Sequence, residues 1–274
     1  MKAIVCHELT GPAALRLEEV PEPCPGLGQV RVRVRACGVN FADSLITRGQ
    51  YQLQPQPPFS PGFEVAGEVL ELGAGVTSIA VGDRVIGIAS HGGYAEQAVI
   101  DAHRCVAMPA AMSFVHGAAF PVVFGTSHIA LWHRARLQAG ETLVVHGASG
   151  GVGLTAVAIG KQLGATVIAT ASSPEKLEVA RQHGADHLIN SRTEDLRVRI
   201  KALTDGRGAD VVYDPVGGDL FTASLPSVAF EGRILVIGFA GGTVPQIPAN
   251  HLLVKNVDVI GVNWPAYAEL NPHV

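Results

Sequence analysis

The sequence predicts an α/β protein: a mainly β domain over residues 1–121, then a doubly wound parallel sheet over 122–264. Three observations predict it. Residues 142–176, TLVVHGASGGVGLTAVAIGKQLGATVIATASSPEK, read as a buried strand, a glycine turn, a helix and a second strand. Beyond residue 122, strand-like runs alternate with helical patterns. Before about residue 120, short strands are separated by Pro and Gly clusters instead.

The elements follow in order. Met1 to Cys6 enters a short strand. Val30–Arg35 alternates Val with Arg, as a half-buried strand should, and Val65–Glu71 and Asp83–Ile88 are strand-like. Gln54–Pro61 holds four prolines and reads as an extended loop. In the second domain the strand candidates are Thr142–Val145, Thr166–Thr170, His187–Asn190, Asp210–Asp214, Arg233–Phe239 and Val257–Asn263. A helix fills the interval from the glycine turn to about Leu163. The last two strands are separated by a Pro-containing loop.

Composition narrows the function classes. At 274 residues and 47% hydrophobic content, two domains can each bury a core. A net charge of −4 argues against nucleic acid or an anionic membrane as the main partner. No apolar run reaches membrane-spanning length, and the first residues lack the pattern of a secretory leader. Cys6, Cys24, Cys37 and Cys105 are widely spaced without a C-x-x-C. Reduced thiols in a cytoplasm are the expectation.

The glycine turn carries the first chemistry. Free N–H groups at a helix N-terminus hold a pyrophosphate only where no side chain blocks the approach. In the G-x-G-x-x-G register the three positions fall on Ala148, Gly150 and Gly153, with Gly147 beside the alanine. Ser149, Gly150, Gly151, Val152 and Gly153 are therefore the candidate pyrophosphate residues. The plain alternative is a strand–helix turn that binds nothing. The second strand ends at Thr170 and Ala171, followed by Ser172, Ser173, Pro174, Glu175 and Lys176. NAD sites place an acid at this tip for the ribose 2′-hydroxyl. Hydroxyls and a Lys suit a 2′-phosphate instead, so NADPH is the expected cofactor. Ser173–Pro174 is also a helix start, with Lys176 solvated one turn in.

Further motifs carry a family likeness: A-C-G-V-N-F-A-D at 36–43, P-G-F-E-V-A-G-E-V at 61–69, A-A-F-P-V-V-F-G-T at 118–126 and G-R-I-L-V-I-G-F at 232–239. On these and the glycine turn, the chain resembles the zinc-independent medium-chain dehydrogenase/reductases of the NADPH:quinone oxidoreductase (zeta-crystallin-like) family. The resemblance implies a GroES-like N-terminal domain and a Rossmann cofactor domain. Where zinc-dependent relatives have a Cys, this chain has Asn40; where they have a His, it has Phe63 before Glu64. The third ligand would fall near Pro121–Val122, and only Cys105 lies in the region of the structural four-cysteine lobe. Catalytic zinc needs three protein donors, so no metal is expected. His183 and His187, at i and i+4, are read as solvated or structural.

Without zinc the expected reaction is hydride transfer to an electrophilic acceptor, a quinone or a conjugated carbonyl. The resemblance places Asn40 and Thr126 near the nicotinamide, with Phe41 and Asp43 of the Phe41–Leu45 turn flanking it. It places Gly238 and Phe239 along the cofactor's other side. Arg192, after Ser191 where several relatives carry a Tyr, is a further candidate at the adenosine phosphate. Tyr51 and Asn40 are the catalytic candidates, Tyr51 because relatives place a tyrosine there to orient or protonate the acceptor carbonyl. The alternative is a Tyr on a flexible Gln- and Pro-rich loop. Asp43 and Glu64 also read as supports of the site's geometry. Ala158 departs from the family's usual Gln, while Lys161 matches. The family chain continues past this point, so the sequence is expected to be truncated, with 265–274 beginning a return to the first domain. A homodimer paired through Val257–Asn263 is expected. An enoyl-type reductase and a non-catalytic NADPH-binding protein remain as alternative functions.

Overall fold

The computed structural model describes residues 1–271. The chain divides into two units, Met1–Val122 and one beginning at Val123. The first is mainly β: strands β1 (Lys2–Cys6), β2 (Leu15–Glu19) and β3 (Gln29–Cys37), helix α1 (Phe41–Ile46), strands β4 (Glu64–Leu72), β5 (Arg84–Ile88), β6 (Gln97–Asp101) and β7 (Cys105–Ala107), and helix α2 (Phe114–Ala118). Strands β1 and β2 form a two-stranded antiparallel sheet; the others form a five-stranded antiparallel sheet in the order β6-β3-β4-β5-β7. The alternation in β3 does what period two requires. Val30 and Val32 are buried with Val65, Val69, Val85 and Ile100. On the opposite face Arg31 bonds Glu22 and Glu71, and Arg35 bonds Glu68. These exposed pairs add little stability, but they engage the arginines.

The second unit contains α3 (Pro121–His128, which starts at the boundary), a π-helical turn (Ile129–Arg134), β8 (Thr142–Val145), α4 (Gly151–Gln162), β9 (Thr166–Ala171), α5 (Pro174–Gln182), β10 (His187–Asn190), α6 (Leu196–Leu203), β11 (Ala209–Asp214), α7 (Gly218–Ser224), β12 (Val228–Val236), α8 (Ala249–Lys255), β13 (Asp258–Gly261) and α9 (Trp264–Leu270). Its six strands run parallel in the order β10-β9-β8-β11-β12-β13. The chain winds outward from β8 to β10, then crosses back to β11. The β8/β11 boundary is thus the switch point, beside which ligands of such sheets bind. Both faces are covered, as β8 shows: Leu143 and Val145 enter one core with Val157 and Tyr213, while Val144 enters the other with Ile168 and Phe221.

Two boundaries differ from the sequence reading. The strand expected at Arg233–Phe239 spans Val228–Val236. Glu231 at φ 57° and a register shift against β11 let it begin early around a bulge. It ends early because the Ile237 N–H donates to Asp214 O and the chain then turns at Phe239–Gly242. Gly238 and Phe239 therefore lie in the loop past the strand. The final strand is the shorter Asp258–Gly261, preceded by α8 where only a loop was expected. From 265, where a departure toward the first domain was expected, the chain continues α9 on the second unit. Trp264 packs so closely on Gly125 that a Cβ there would lie 2.5 Å from its ring, and Tyr267 meets His133 edge-on at 5.5 Å. Residues 272–274 lie outside the described residues.

Candidate functional site

The first unit gathers polar chemistry around the start of α1. Asn40 is its N-cap residue, and its backbone N–H donates to Asp43 Oδ2 at 2.7 Å. Gly62 N donates to Asp43 Oδ1 at 3.1 Å. Asp43 is buried with both oxygens engaged, so its side chain braces this turn. Glu64 is equally committed: Asn40 Nδ2 donates to Oε1 and Val122 N to Oε2, each at 2.8 Å. A carboxylate only accepts, so the Asn40 amide must turn its NH2 toward Glu64. Burial raises both acids above their ordinary range, against the lowering by these hydrogen bonds.

Tyr51 is anchored by packing. Its ring meets Phe63 edge-on at 5.7 Å, beside the buried cluster of Cys6, Ile46 and Phe59. Burial, and secondarily the Asp43 charge, push its phenol up, so the hydroxyl stays a proton donor at neutral pH. Cys37 is raised to about 12, chiefly by burial, which keeps it an unreactive thiol.

The second unit presents its candidates at the carboxyl edge of the parallel sheet. Gly150 is the N-cap of α4, and its N–H donates to Gly147 O at 2.9 Å. The first-turn N–H groups of α4, on Gly151, Val152 and Gly153, have no intrahelical acceptor. A Cβ on Gly153 would lie 2.3 Å from Gly147 O and 2.8 Å from Ala148 Cα, so only glycine lets this helix start so close to the strand end. The left-handed conformation falls on Gly147, at φ 55°, which is why position 148 tolerates alanine. Ser149 is half-buried between them.

At the tip of β9 no carboxylate stands. Ser173 caps α5, accepting from Lys176 N at 3.4 Å, and Lys176 Nζ reaches Ser172 Oγ at 3.3 Å. The nearest acid in sequence, Glu175, is exposed in the first turn of α5. Next door, Asn190 of β10 is in register with Ala171, and Ser191 Oγ donates to Ala171 O at 3.2 Å. The exposed Arg192 follows, its backbone N–H donating to Asn190 Oδ1. Ser172, Lys176 and Arg192 thus share adjacent strand ends. Gly238 and Phe239 are half-buried at the same edge; Thr126 is half-buried on α3.

Two buried networks escaped the sequence reading. His146, just past β8, bonds Thr170 Oγ1 through Nδ1 at 2.9 Å and Ser224 Oγ through Nε2 at 2.7 Å. Ser224 donates to Leu220 O, so it accepts from His146 Nε2–H, which leaves Nδ1 to accept from Thr170. Burial lowers the His146 pKa, consistent with this neutral tautomer, while the nearby Asp214 acts oppositely. Under α4, Ser127 joins Thr155 Oγ1 at 2.8 Å and the Tyr213 hydroxyl at 2.9 Å. His146 is visible in the sequence, but partners 24 and 78 residues away are not.

A catalytic zinc does not fit these residues. Phe63 has no donor, Asn40 is bound to Glu64, and both Glu64 oxygens are engaged. His183, the C-cap of α5, bonds Val179 O through Nδ1, while His187 begins β10. Among the described residues, no group of three His, Cys, Asp or Glu side chains is placed to hold a metal, and no helix is long and apolar enough to cross a membrane.

Comparison with known proteins meets this geometry. Residues 26–110 match the alcohol dehydrogenase GroES-like domain, and 151–273 the zinc-binding dehydrogenase family. The rat quinone oxidoreductase-like protein 2 is 44% identical over 267 residues, covering 97% of this chain and 76% of its own. The Escherichia coli quinone oxidoreductase complexed with NADPH superposes with a TM-score of 0.92 at 33% identity, over 98% of this chain and 83% of that one. The CurK enoyl reductase gives 0.89 at 30% identity, over 99% and 83%. With its GroES-like first domain and Rossmann-like parallel sheet, the chain is an oxidoreductase belonging to the quinone oxidoreductase-like family of medium-chain dehydrogenase/reductases.

Proposed function

We propose that this protein is an NADPH-dependent reductase that delivers hydride to a quinone without a metal. The observation that carries the reading is the pairing of an unobstructed helix-start turn at Gly147–Gly153 with an Asn40–Glu64 hydrogen bond where zinc relatives need donors. The turn fits a dinucleotide pyrophosphate: Ser149, Gly151, Val152 and Gly153 would hold it by backbone N–H groups, and Gly150, whose own N–H is given to Gly147 O, would leave the approach open. Ser172, Lys176 and Arg192 would take the 2′-phosphate, because donors and positive charge stand where an NAD site needs an acid. Asn40, Phe41, Thr126, Gly238 and Phe239 are assigned to the nicotinamide. Bound NADPH supplies the hydride, and the chain's own residues supply position and proton.

Tyr51 is assigned to the acceptor. Its raised phenol donates a hydrogen bond to the acceptor oxygen and can protonate it as negative charge develops. Asn40 stays in a fixed orientation because Glu64 holds its amide. A quinone is electrophilic already, so positioning and one proton donor suffice.

A second reading, reduction of a conjugated carbon–carbon double bond, is favoured by the likeness to the CurK enoyl reductase. Against coenzyme A thioesters stands the β3 face, where Arg31, Arg33 and Arg35 are paired with Glu22, Glu68 and Glu71 and thus engaged. NADPH oxidation measured against quinones, enals and enoyl thioesters separates the readings. Quinones should be turned over with the highest kcat/KM. Preference for enoyl thioesters overturns the quinone assignment, and tight NADPH binding without oxidation by any acceptor makes the protein a non-catalytic binder. The same reading expects a cytoplasmic homodimer.

A further inference from the structure

The switch point between β8 and β11 holds a carboxylate that no role above has used. Asp214 ends β11 and is 1% exposed. Its Oδ1 accepts from Val216 N at 2.8 Å and Gly217 N at 2.9 Å, while Oδ2 is buried with no hydrogen-bond partner. A charge buried in this way is costly, so its two bonds must secure something. They secure the root of the 215–218 loop.

That loop is zipped to the segment following β12. Ile237 N donates to Asp214 O at 3.0 Å, Ala240 N to Pro215 O at 3.0 Å and Gly241 N to Val216 O at 2.9 Å, and Gly218 N donates back to Thr243 O at 3.1 Å. On this flank, a Cβ on Gly217 would lie 2.9 Å from Thr243 O and 3.1 Å from Phe239 Cδ1. On the other flank, a Cβ on Gly147 would lie 3.1 Å from Val216 Cγ2. The 215–218 loop is therefore a spacer, touching the glycine turn on one side and the Phe239 segment on the other. One carboxylate holds its shape.

We propose that Asp214 is a positioning residue for the cofactor, fixing the separation of the Gly147–Gly153 turn and the Gly238–Phe239 segment through the 215–218 loop. This rests on the reading that those segments bind NADPH. The test compares wild type, Asp214→Ala and Asp214→Asn by NADPH affinity from fluorescence quenching, kcat at saturating NADPH, and melting temperature. Asparagine can still accept both N–H groups through its amide oxygen; alanine cannot. Asp214→Ala should bind NADPH roughly tenfold more weakly, by the loss of buried acceptors. Asp214→Asn should restore affinity to within about threefold of wild type, since the cap and not the charge does the positioning. A folded Asp214→Ala with wild-type affinity overturns the proposal, as does an Asp214→Asn as weak as the alanine variant.

If Asp214→Ala does not fold, Gly217→Ala presses on the same contact from the loop side, at φ 73°. It should also weaken NADPH, and unchanged affinity in a folded Gly217→Ala overturns the proposal. Wild type that binds NADH in preference defeats the 2′-phosphate reading alone, and the same comparison with NADH still decides the role of Asp214. Wild type that binds neither defeats both.

Discussion

Tyr51 and Lys176 are single side chains on which the proposed chemistry can be checked. The Tyr51 ring is already held by Phe63, so replacing the hydroxyl alone should leave packing intact. Tyr51→Phe should lower quinone turnover about a hundredfold, the lower end of what one positioned proton donor contributes, with NADPH affinity unchanged. Unchanged turnover on every accepted substrate removes Tyr51 from the mechanism. The sign of its pH dependence follows from burial. A phenol pushed up keeps its proton further into the alkaline range, so a loss of rate carried by Tyr51 appears only above the usual phenol range and vanishes in Tyr51→Phe. Lys176 contacts Ser172 and is otherwise exposed, so Lys176→Ala should leave the fold unchanged. NADPH affinity should fall roughly tenfold while NADH affinity stays within error, the loss of one charge-assisted phosphate contact. Equal affinities for NADPH before and after the change would remove Lys176 from the 2′-phosphate site.

At the scale of elements, the β8–turn–α4 unit depends on close approach. Gly153 sits against the Gly147 carbonyl, where a methyl group cannot fit without moving the helix. Gly153→Ala should lower the melting temperature by several degrees, from an overpacking cost of about 1–3 kcal/mol. It should also weaken dinucleotide binding, because the first turn of α4 shifts away from its place. Native melting and native affinity together would show that the turn has slack the geometry denies. The glycine spacing was readable beforehand because obstruction is a local property of a residue and its neighbours. The strand β12 was read less well. Its bulge at Glu231 accompanies a register shift against β11, and its early end depends on Ile237 N and Ala240 N donating to the carbonyls of Asp214 and Pro215, partners that no local periodicity reports.

At the scale of the molecule, β13 closes one end of the described six-stranded sheet and leaves an edge for pairing. Leu253 and Val254 on the preceding α8 are exposed, at 78% and 77%. Sedimentation at micromolar concentration should therefore report a dimer, and a monomer counts against pairing through this edge. The sequence by itself determined the two-domain α/β architecture, the glycine turn that opens α4, and the residue types at the positions where zinc-dependent relatives carry donors. Each of these is written in residue type at short spacing: β-branched runs, glycines where backbone must approach, Asn40 and Phe63 where donors would stand. Only the tertiary structure decided that Glu64 holds the Asn40 amide and that Asp43 is a brace. It alone showed that His146 is locked between Thr170 and Ser224, and that Asp214 roots the loop between two candidate cofactor segments. The physical reason is the same throughout. A side chain's chemistry is set by burial and by partners, and those partners lie tens of residues away until the chain folds.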